Sequence, residues 1–401
     1  MNKTHILFIT TQLPFPAKSG GTVKSWNYVQ FLSQNYTLSV ASLLKDDDEK
    51  HVQAFQKAIN LEYFESEQSD IQRTPLNLIK SYFLSTSLNV FRNYSTNFKS
   101  KVLPLAEKAD VLLIDHYEVF QYVPANFKGK IVLHTHNAEF MLWRRMSELT
   151  NNPIKKIILK LEATRVRHYE NLIFKKSDLV YSTPSDIDLY QKNSMNTQAH
   201  AITYHLGNDT LLDLPALEFH KTEKAITFIG TLSWEPNIDG ICWFIENCWS
   251  TIQQKHPDCV LYVLGKSPDE RIKTAARKQT QIIFTGFVEN LDTYLQKTRA
   301  YIAPLRFGSG MKVKVLEGLY RGTPCVTTSV GAEGLKVRNG EEILISDEAQ
   351  SFAKNCITLL EDKQLWNKLS SNARKVAKNE YKWVDLFQKM ENSLQSLLKK
   401  K

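Results

Sequence analysis

The residues with the densest chemistry lie between 300 and 335, in AYIAPLRFGSGMKVKVLEGLYRGTPCVTTSVGAEGL. The apolar run Ala300 to Ala303 reads as a strand, Pro304 to Gly310 as a Pro/Gly loop, and the residues from about Met311 as an amphipathic helix. A strand, a glycine loop and a helix start together make a site for a phosphate. The glycines let the backbone approach closely and adopt positive φ. The first N–H groups of a helix lack intrahelical partners, and the macrodipole there favours an anion. Lys312 and Lys314 add positive charge, and Glu317 stands where a carboxylate would hold ribose hydroxyls. Two residues on a helix are about 200° apart, so only one of the lysines is expected to face the site and the other to be solvated.

Further candidates follow other strands. Gly20 and Gly21 come after the first apolar strand and before a helix, where they can approach a phosphate, although no G-x-G-x-x-G fingerprint is present. His136 follows a buried strand and shares a face with His134 by alternation. Glu139 comes three residues later. Asp186–Ile187–Asp188 reads as DxD, but it opens a helix after Ser-Thr-Pro-Ser, and helix capping explains it better than a metal. Residues 153–176 carry seven Lys/Arg and two Glu beside a stripe of Ile154, Ile157, Ile158 and Leu161. Such a helix either packs its stripe into the core or lies on an anionic membrane.

The elements that must position these residues alternate strand and helix through 401 residues, enough for two or three domains. Strands are expected at Ile6–Thr10, Leu38–Ser42, Val111–Ile114, Ile131–His134, Leu179–Ser182 and Ala201–Thr203. The pattern breaks near 207–224 and restarts with Ala225–Ile229, Val260–Leu264, Ile282–Thr285, Ala300–Ala303, Cys325–Thr328 and Ile343–Ile345. Residues 45–105 are polar and mixed, and little is assigned there. This is an α/β chain of two parallel sheets, each covered on both faces. No run of about 18 apolar residues marks a membrane span. The five cysteines form no CxxC pair, which suits a reduced, cytoplasmic protein. The net charge of +9 suits phosphorylated substrates or anionic lipid, while no nucleic-acid motif accompanies it.

The pieces Phe228 to Asn237 (FIGTLSWEPN), Leu264–Gly265–Lys266, Thr285 to Val288 (TGFV), Pro304–Leu305 with Gly308–Ser309–Gly310, Lys314 to Glu317 (KVLE) and Gly331 to Leu335 (GAEGL) stand in this order. Before them come Pro14 to Pro16 with Ser19–Gly20–Gly21, His136 to Glu139 (HNAE) and Ser182 to Asp186 (STPSD). Together they resemble the family 4 retaining glycosyltransferases (glycosyltransferase group 1) of GT-B fold over nearly the whole chain. The resemblance implies two Rossmann-like doubly wound domains facing an interdomain cleft. Residues 1–208 would be the acceptor domain, 209–224 a linker and 225–384 the donor domain, with a C-terminal helix at about 385–401 packing back on the first.

It also implies an EC 2.4 glycosyltransferase that moves a sugar, with retention, from a UDP- or GDP-linked donor to a saccharide or lipid-linked acceptor in cell-surface polysaccharide or lipopolysaccharide assembly. No metal cofactor is expected, and the location is the cytoplasm or the inner face of its membrane. His136, Lys314 and Glu317 take the catalytic places, and Lys314 is the lysine chosen to face the leaving diphosphate. Gly20, Gly21, Gly230, Lys266, Phe287, Gly308, Ser309, Gly310, Met311 and Glu333 take donor places, and Glu139 an acceptor place. Three departures stand out. Ser309 occupies the position of the family's first acid, eight residues before Glu317. Thr231 and Asn237 stand where many relatives have an arginine and a lysine, so the phosphate charge must be met by Lys314 and Lys266. The same fold also serves nucleotide-sugar 2-epimerases, and a non-catalytic binding subunit would retain it.

Overall fold

A computed structural model gives the fold, and it describes residues 3–17, 20–45, 47–69, 71–72, 74–308 and 310–399. The chain divides into two compact units, Met1–His205 with Leu386–Lys401, and Leu206–Asp385.

The first unit is built on seven strands: β1 (His5–Thr10), β2 (Thr37–Leu44), β3 (Tyr63–Gln68), β4 (Val111–Asp115), β5 (Lys130–His134), β6 (Leu179–Ser182) and β7 (His200–Ile202). Their order is β3-β2-β1-β4-β5-β6-β7, and every pair is parallel. Strands buried on both faces must be apolar throughout. ILFI in β1 and VLLI in β4 meet that demand, with no solvent exposure from Ile6 to Ile9 or from Val111 to Ile114. Leu7, Ile9, Leu112, Ile114, Leu133 and Val180 form the centre of one core. β3 is absent from the sequence expectations. Its residues YFESEQ are polar and half-exposed, because it is the edge strand beside β2.

The second unit repeats the plan with β8 (Glu223–Ile229), β9 (Val260–Leu264), β10 (Ile282–Gly286), β11 (Thr298–Ala303), β12 (Cys325–Thr327) and β13 (Leu344–Ile345) in the order β10-β9-β8-β11-β12-β13, again all parallel. Ile226, Phe228, Leu261, Val263, Ile302 and Val326 lie in its core. In each sheet the order reverses at one place, between β1 and β4 in the first and between β8 and β11 in the second. Ligands of open parallel sheets bind beyond the carboxyl ends of strands at such a switch point. The topology therefore marks the loops after β1, β4, β8 and β11.

One segment differs from the expectations. Residues 209–224 do not form a loose connection. They fold into short turns, Asp209–Asp213 and Phe219–Lys221, and belong to the second unit. The Arg374 guanidinium donates to the carbonyls of Leu212 and Leu214, at 2.6 and 2.8 Å, and Asp209 accepts from the Trp383 N–H. The last helix, Trp383–Lys399, carries a buried stripe of Leu386, Met390, Leu394 and Leu397. From Leu386 onward it packs in the first unit. There the Tyr36 hydroxyl donates to Glu391 at 2.9 Å, Tyr181 and Ser393 share a hydrogen bond of 2.6 Å, and Phe387 stacks on Phe31.

Trp366 is fully buried in the second unit and its Nε1–H donates to the carbonyl of Arg299 at 2.8 Å. Trp366→Ala would leave both a cavity and an unpaired carbonyl. It should lower stability by about 3–5 kcal/mol, seen as a lower urea midpoint by far-UV circular dichroism.

Candidate functional site

In the second unit the site grows from the loop after β11. Gly308 and Gly310 adopt φ of 141° and 69°, which turns the chain from the strand into the helix Val313–Arg321. The helix begins two residues later than expected. Lys312 is its N-cap, and no side chain caps the helix. Its leading amides are thus open to a ligand anion rather than tied to an Asp, Ser or Thr.

Lys312 is not solvated, contrary to the expectation from helical spacing. At the N-cap it lies outside the helix and folds back into the loop, where its ammonium donates to the Gly310 carbonyl and lies 3.8 Å from Glu333. Gly310, Lys312 and Glu333 therefore share one corner, with Met311 buried beside them.

Lys314 points to the carboxyl end of β8. Its Nζ donates to Asn237 Oδ1 and lies 4.8 Å from the Phe228 ring centre. Asn237 in turn donates to the Thr231 carbonyl at 3.0 Å. Of the two positions where the resemblance expects cations, Asn237 therefore meets Lys314 directly and Thr231 meets Asn237. Gly230 makes this possible: a Cβ there would come within 2.8 Å of Asn237 Nδ2 and 3.1 Å of Lys314 Nζ. Burial, and then the charge of Lys312, lower the Lys314 pKa to about 7.

Glu317 lies one turn further on and is buried, not the exposed glutamate a helix surface would present. Its Oε1 accepts from the Asn208 N–H at 3.0 Å, while Oε2 is buried without a partner. Gly207 fits only because it lacks a side chain, since a Cβ would meet Glu317 Oε1 at 2.3 Å. Burial pushes the carboxyl up to about 7, with the Asn208 N–H opposing and the Asp209 charge adding. A buried carboxylate oxygen with no donor is suited to a ligand hydroxyl. Lys266 and Phe287 are exposed beyond the carboxyl ends of β9 and β10, and no described contact joins them to Lys314 or Glu317. Ser309 lies outside the described residues.

In the first unit a buried polar cluster gathers at the switch point, and only His136 and its neighbour His134 were singled out from sequence. Its centre is Asp115, the last residue of β4 and fully buried. Oδ1 accepts from His134 Nδ1 and His136 Nε2, both at 2.7 Å. Oδ2 accepts from the hydroxyls of Thr10 and Ser25 at 2.9 and 2.6 Å. An ionised carboxylate has about four acceptor positions, so all are occupied. Burial raises the Asp115 pKa, but attraction to His136 and His116 and the two imidazole hydrogen bonds outweigh it and hold the carboxyl well below its usual range. Burial lowers His136 and His134, so the state supported is one ionised aspartate between two neutral histidines.

This fixes the tautomers. His136 donates through Nε2, so its Nδ1 carries the lone pair. That atom lies 3.7 Å from where a Cβ of Gly21 would be, at the start of the helix Gly20–Asn35. His116 stacks on His136 with ring centres 3.6 Å apart. It holds a φ of 81°, which non-glycine residues seldom adopt. Lys24, on the first turns of the same helix, is fully buried. Its ammonium donates to the Thr135 carbonyl at 3.2 Å and to His205 Nε2 at 3.0 Å. Burial lowers Lys24 to about 7 against the attraction of Asp115 and Asp186. Asp115, His134 and His136 lie close enough to be weighed as metal ligands, yet each contact is already accounted for as a hydrogen bond. The signal that could have found Asp115 and His116 is polar residues directly after the buried run VLLI.

Glu139 is half-buried and accepts from Asn137 Nδ2 at 3.0 Å. The start of its helix is held by Glu170, whose carboxylate accepts the N–H groups of Glu139 and Phe140. Thr183, not Asp186, caps the helix Pro184–Lys192: Thr183 Oγ1 accepts the Asp186 N–H, and the Asp186 carboxylate accepts from Thr183 and from the Ala138 N–H.

Residues 223–362 match the profile of the family described as glycosyl transferases, group 1. A Klebsiella pneumoniae protein of 44.6 kDa in the cps region is 22% identical over 392 residues, covering 94% of this chain and 95% of its own. The putative glycosyltransferase YtcC of Bacillus subtilis is 22% identical over 421 residues, covering 98% and 92%. The crystal structure of Anabaena HepE in complex with UDP-glucose superposes with a TM-score of 0.70 at 14% identity, covering 98% of this chain and 99% of that one. The chain thus has the GT-B fold, and residues 223–362 carry the likeness to the group 1 glycosyl transferases. Among the described residues no helix is long and apolar enough to cross a membrane.

Two outcomes are expected. Between about pH 4.5 and 7 the folded state holds a proton on Glu317 that the unfolded chain has released, so this group's contribution to stability falls as pH rises through that window. Glu317→Gln should therefore be more stable than the parent at pH 8, by up to about 3 kcal/mol, with the difference gone near pH 4.5 in urea titrations. Asp115→Asn should release the Nε2–H tautomer of His136, visible in imidazole 15N spectra, and lower turnover by about 100-fold while leaving nucleotide affinity unchanged.

Proposed function

We propose that the enzyme transfers a sugar, with retention at the anomeric carbon, from a UDP- or GDP-linked donor to a saccharide or lipid-linked acceptor on the cytoplasmic side, in assembly of a cell-surface polysaccharide. The observation that carries the donor half is the placement of Lys314 and Glu317 one turn apart on the helix that starts at the second unit's switch point. In this reading the second unit is the donor domain. The amides of Gly308, Gly310 and Met311 and the Lys314 ammonium neutralise the diphosphate, Gly230 leaves room for it, and Glu317 Oε2 accepts a ribose hydroxyl. Glu333 and Lys312 border the sugar, and Phe287 and Lys266 the outer part of the nucleotide. Diphosphate binding would favour the charged form of Lys314, which burial otherwise weakens.

The first unit is the acceptor domain in this reading. His136 Nδ1, an obligate acceptor while Asp115 holds the other ring nitrogen, takes a hydrogen bond from a sugar hydroxyl; Gly20 and Gly21 leave the helix start open beside it, and Glu139 borders the acceptor. The acceptor oxygen forms the new bond to the anomeric carbon as the bond to the diphosphate breaks, and a donor phosphate oxygen takes the hydroxyl proton. The family match supports glycosyl transfer, the likeness to a protein that binds UDP-glucose supports a uridine donor, and the relative in a cps region supports capsule-type polysaccharide.

Thermal shift with UDP, GDP and their sugars tests the donor first; a ligand at about 100 times its Kd adds about 2.7 kcal/mol of apparent stability. Turnover of the stabilising donor should then give a glycoside of unchanged anomeric configuration by proton NMR, and Glu317→Ala should weaken donor binding at least about tenfold, as loss of a charged hydrogen bond does. A C2-epimerised sugar, or no turnover with any donor, overturns the reading.

A further inference from the structure

We propose that the helices Pro75–Leu84 and Pro153–Lys176 of the first unit form one surface that lies on an anionic lipid bilayer. The sequence leaves the apolar stripe of the second helix open between core packing and a membrane. The structure places the core face elsewhere, on Leu159, Ala163, Val166, Ile173 and Phe174. The stripe itself faces out: Ile154 is 70% exposed, Ile157 60% and Leu161 51%.

The helix Pro75–Leu84, where the sequence reading assigned nothing, does the same, with Phe83 84% and Leu84 71% exposed and Leu76 and Ile79 also in solvent. The two helices are joined at Arg165. Arg165, one turn past Leu161, donates to the carbonyls of Ser81 and Ser85 at 2.6 and 3.1 Å and packs over the Tyr82 ring. An apolar surface spread over neighbouring helices is not the scatter of single exposed residues found on any protein, and it marks a docking site.

Charge selects the occupant. The only acids on the two helices are Glu162 and Glu170, and both are turned inward and buried. Glu162 accepts the Leu88 N–H and a bond from Arg165, and Glu170 accepts the N–H groups that begin the helix at Glu139. Outward remain Lys80, Lys155, Lys156, Lys160, Arg167, Lys175 and Lys176 with no acid beside them on either helix. Apolar side chains flanked by lysines suit the boundary of headgroups and acyl chains, where the chains immerse and the ammonium groups reach back to phosphates. A two-fold contact with a second copy would instead bring these lysines toward their own counterparts. The inference does not depend on which sugar is transferred.

Sedimentation of the full chain with vesicles tests it. The protein should pellet with phosphatidylcholine vesicles containing phosphatidylglycerol, not with phosphatidylcholine alone, and less so as salt is raised. Phe83→Glu with Ile157→Glu, and separately Lys155→Glu with Lys156→Glu and Lys160→Glu, should each weaken partition at least about tenfold. Because all five side chains lie at the surface, unaltered melting curves and UDP binding would show that fold and donor site persist. No binding to the anionic vesicles, or binding that neither variant reduces, overturns the proposal. So does a dimer in sedimentation velocity that the Phe83/Ile157 variant dissociates, which would give the surface to a second copy.

Discussion

An ionised carboxylate with no access to water is tolerated only where donors replace its hydration shell. Asp115 is such a group, and much of the first unit's switch point is arranged to satisfy it. Thr10 arrives from the end of β1, Ser25 from the following helix, and His134 and His136 from the end of β5 and beyond. These segments converge only because β1, β4 and β5 are adjacent and parallel. The carboxylate in turn dictates which nitrogen of His136 carries the proton. A packing requirement and a chemical property are thus one arrangement, and the strained backbone at His116 is consistent with a site that accepts local cost to place a ring.

The second unit handles charge in the opposite manner. Lys314 and Glu317 are both poorly solvated, and both have pKa values drawn toward neutrality by burial. They are not paired with each other: one meets an asparagine oxygen, the other a backbone N–H, and one carboxylate oxygen meets nothing. Groups held in this way gain from a ligand that brings a diphosphate to the one and hydroxyls to the other. Small residues keep the space open, with Gly230 at the lysine and Gly207 at the glutamate. Unlike Asp115, which is saturated, Glu317 leaves binding capacity unspent, which the proposed donor site would use.

Much of the fold was legible because buried parallel strands must be short apolar runs, and VLLI, ILFI and AYIA, each bounded by polar or turn residues, fit that demand. β3 escaped because an edge strand needs no apolar face on its open side. Lys314 and Glu317 were readable as a pair since their spacing on one helix is local. Lys312 was misjudged because the helix starts at Val313, which moves Lys312 from a turn of helix to the N-cap and turns its side chain inward. A shift of two residues decides between solvent and loop.

Sequence by itself determined what depends on neighbours along the chain: the strand–helix alternation, the glycine loop before a helix, and the lysine and glutamate spaced to share it. Only the tertiary structure decided what depends on residues far apart. Asp115 joins groups from positions 10, 25, 134 and 136. Lys24 reaches His205, and Glu162 and Glu170 turn away from solvent, leaving a basic surface. Periodicity shows that a helix has an apolar stripe; it does not show which stripe is covered, because that is set by the neighbours the fold supplies. The stripe at Ile154, Ile157 and Leu161 has the spacing of a core face, and the structure leaves it bare.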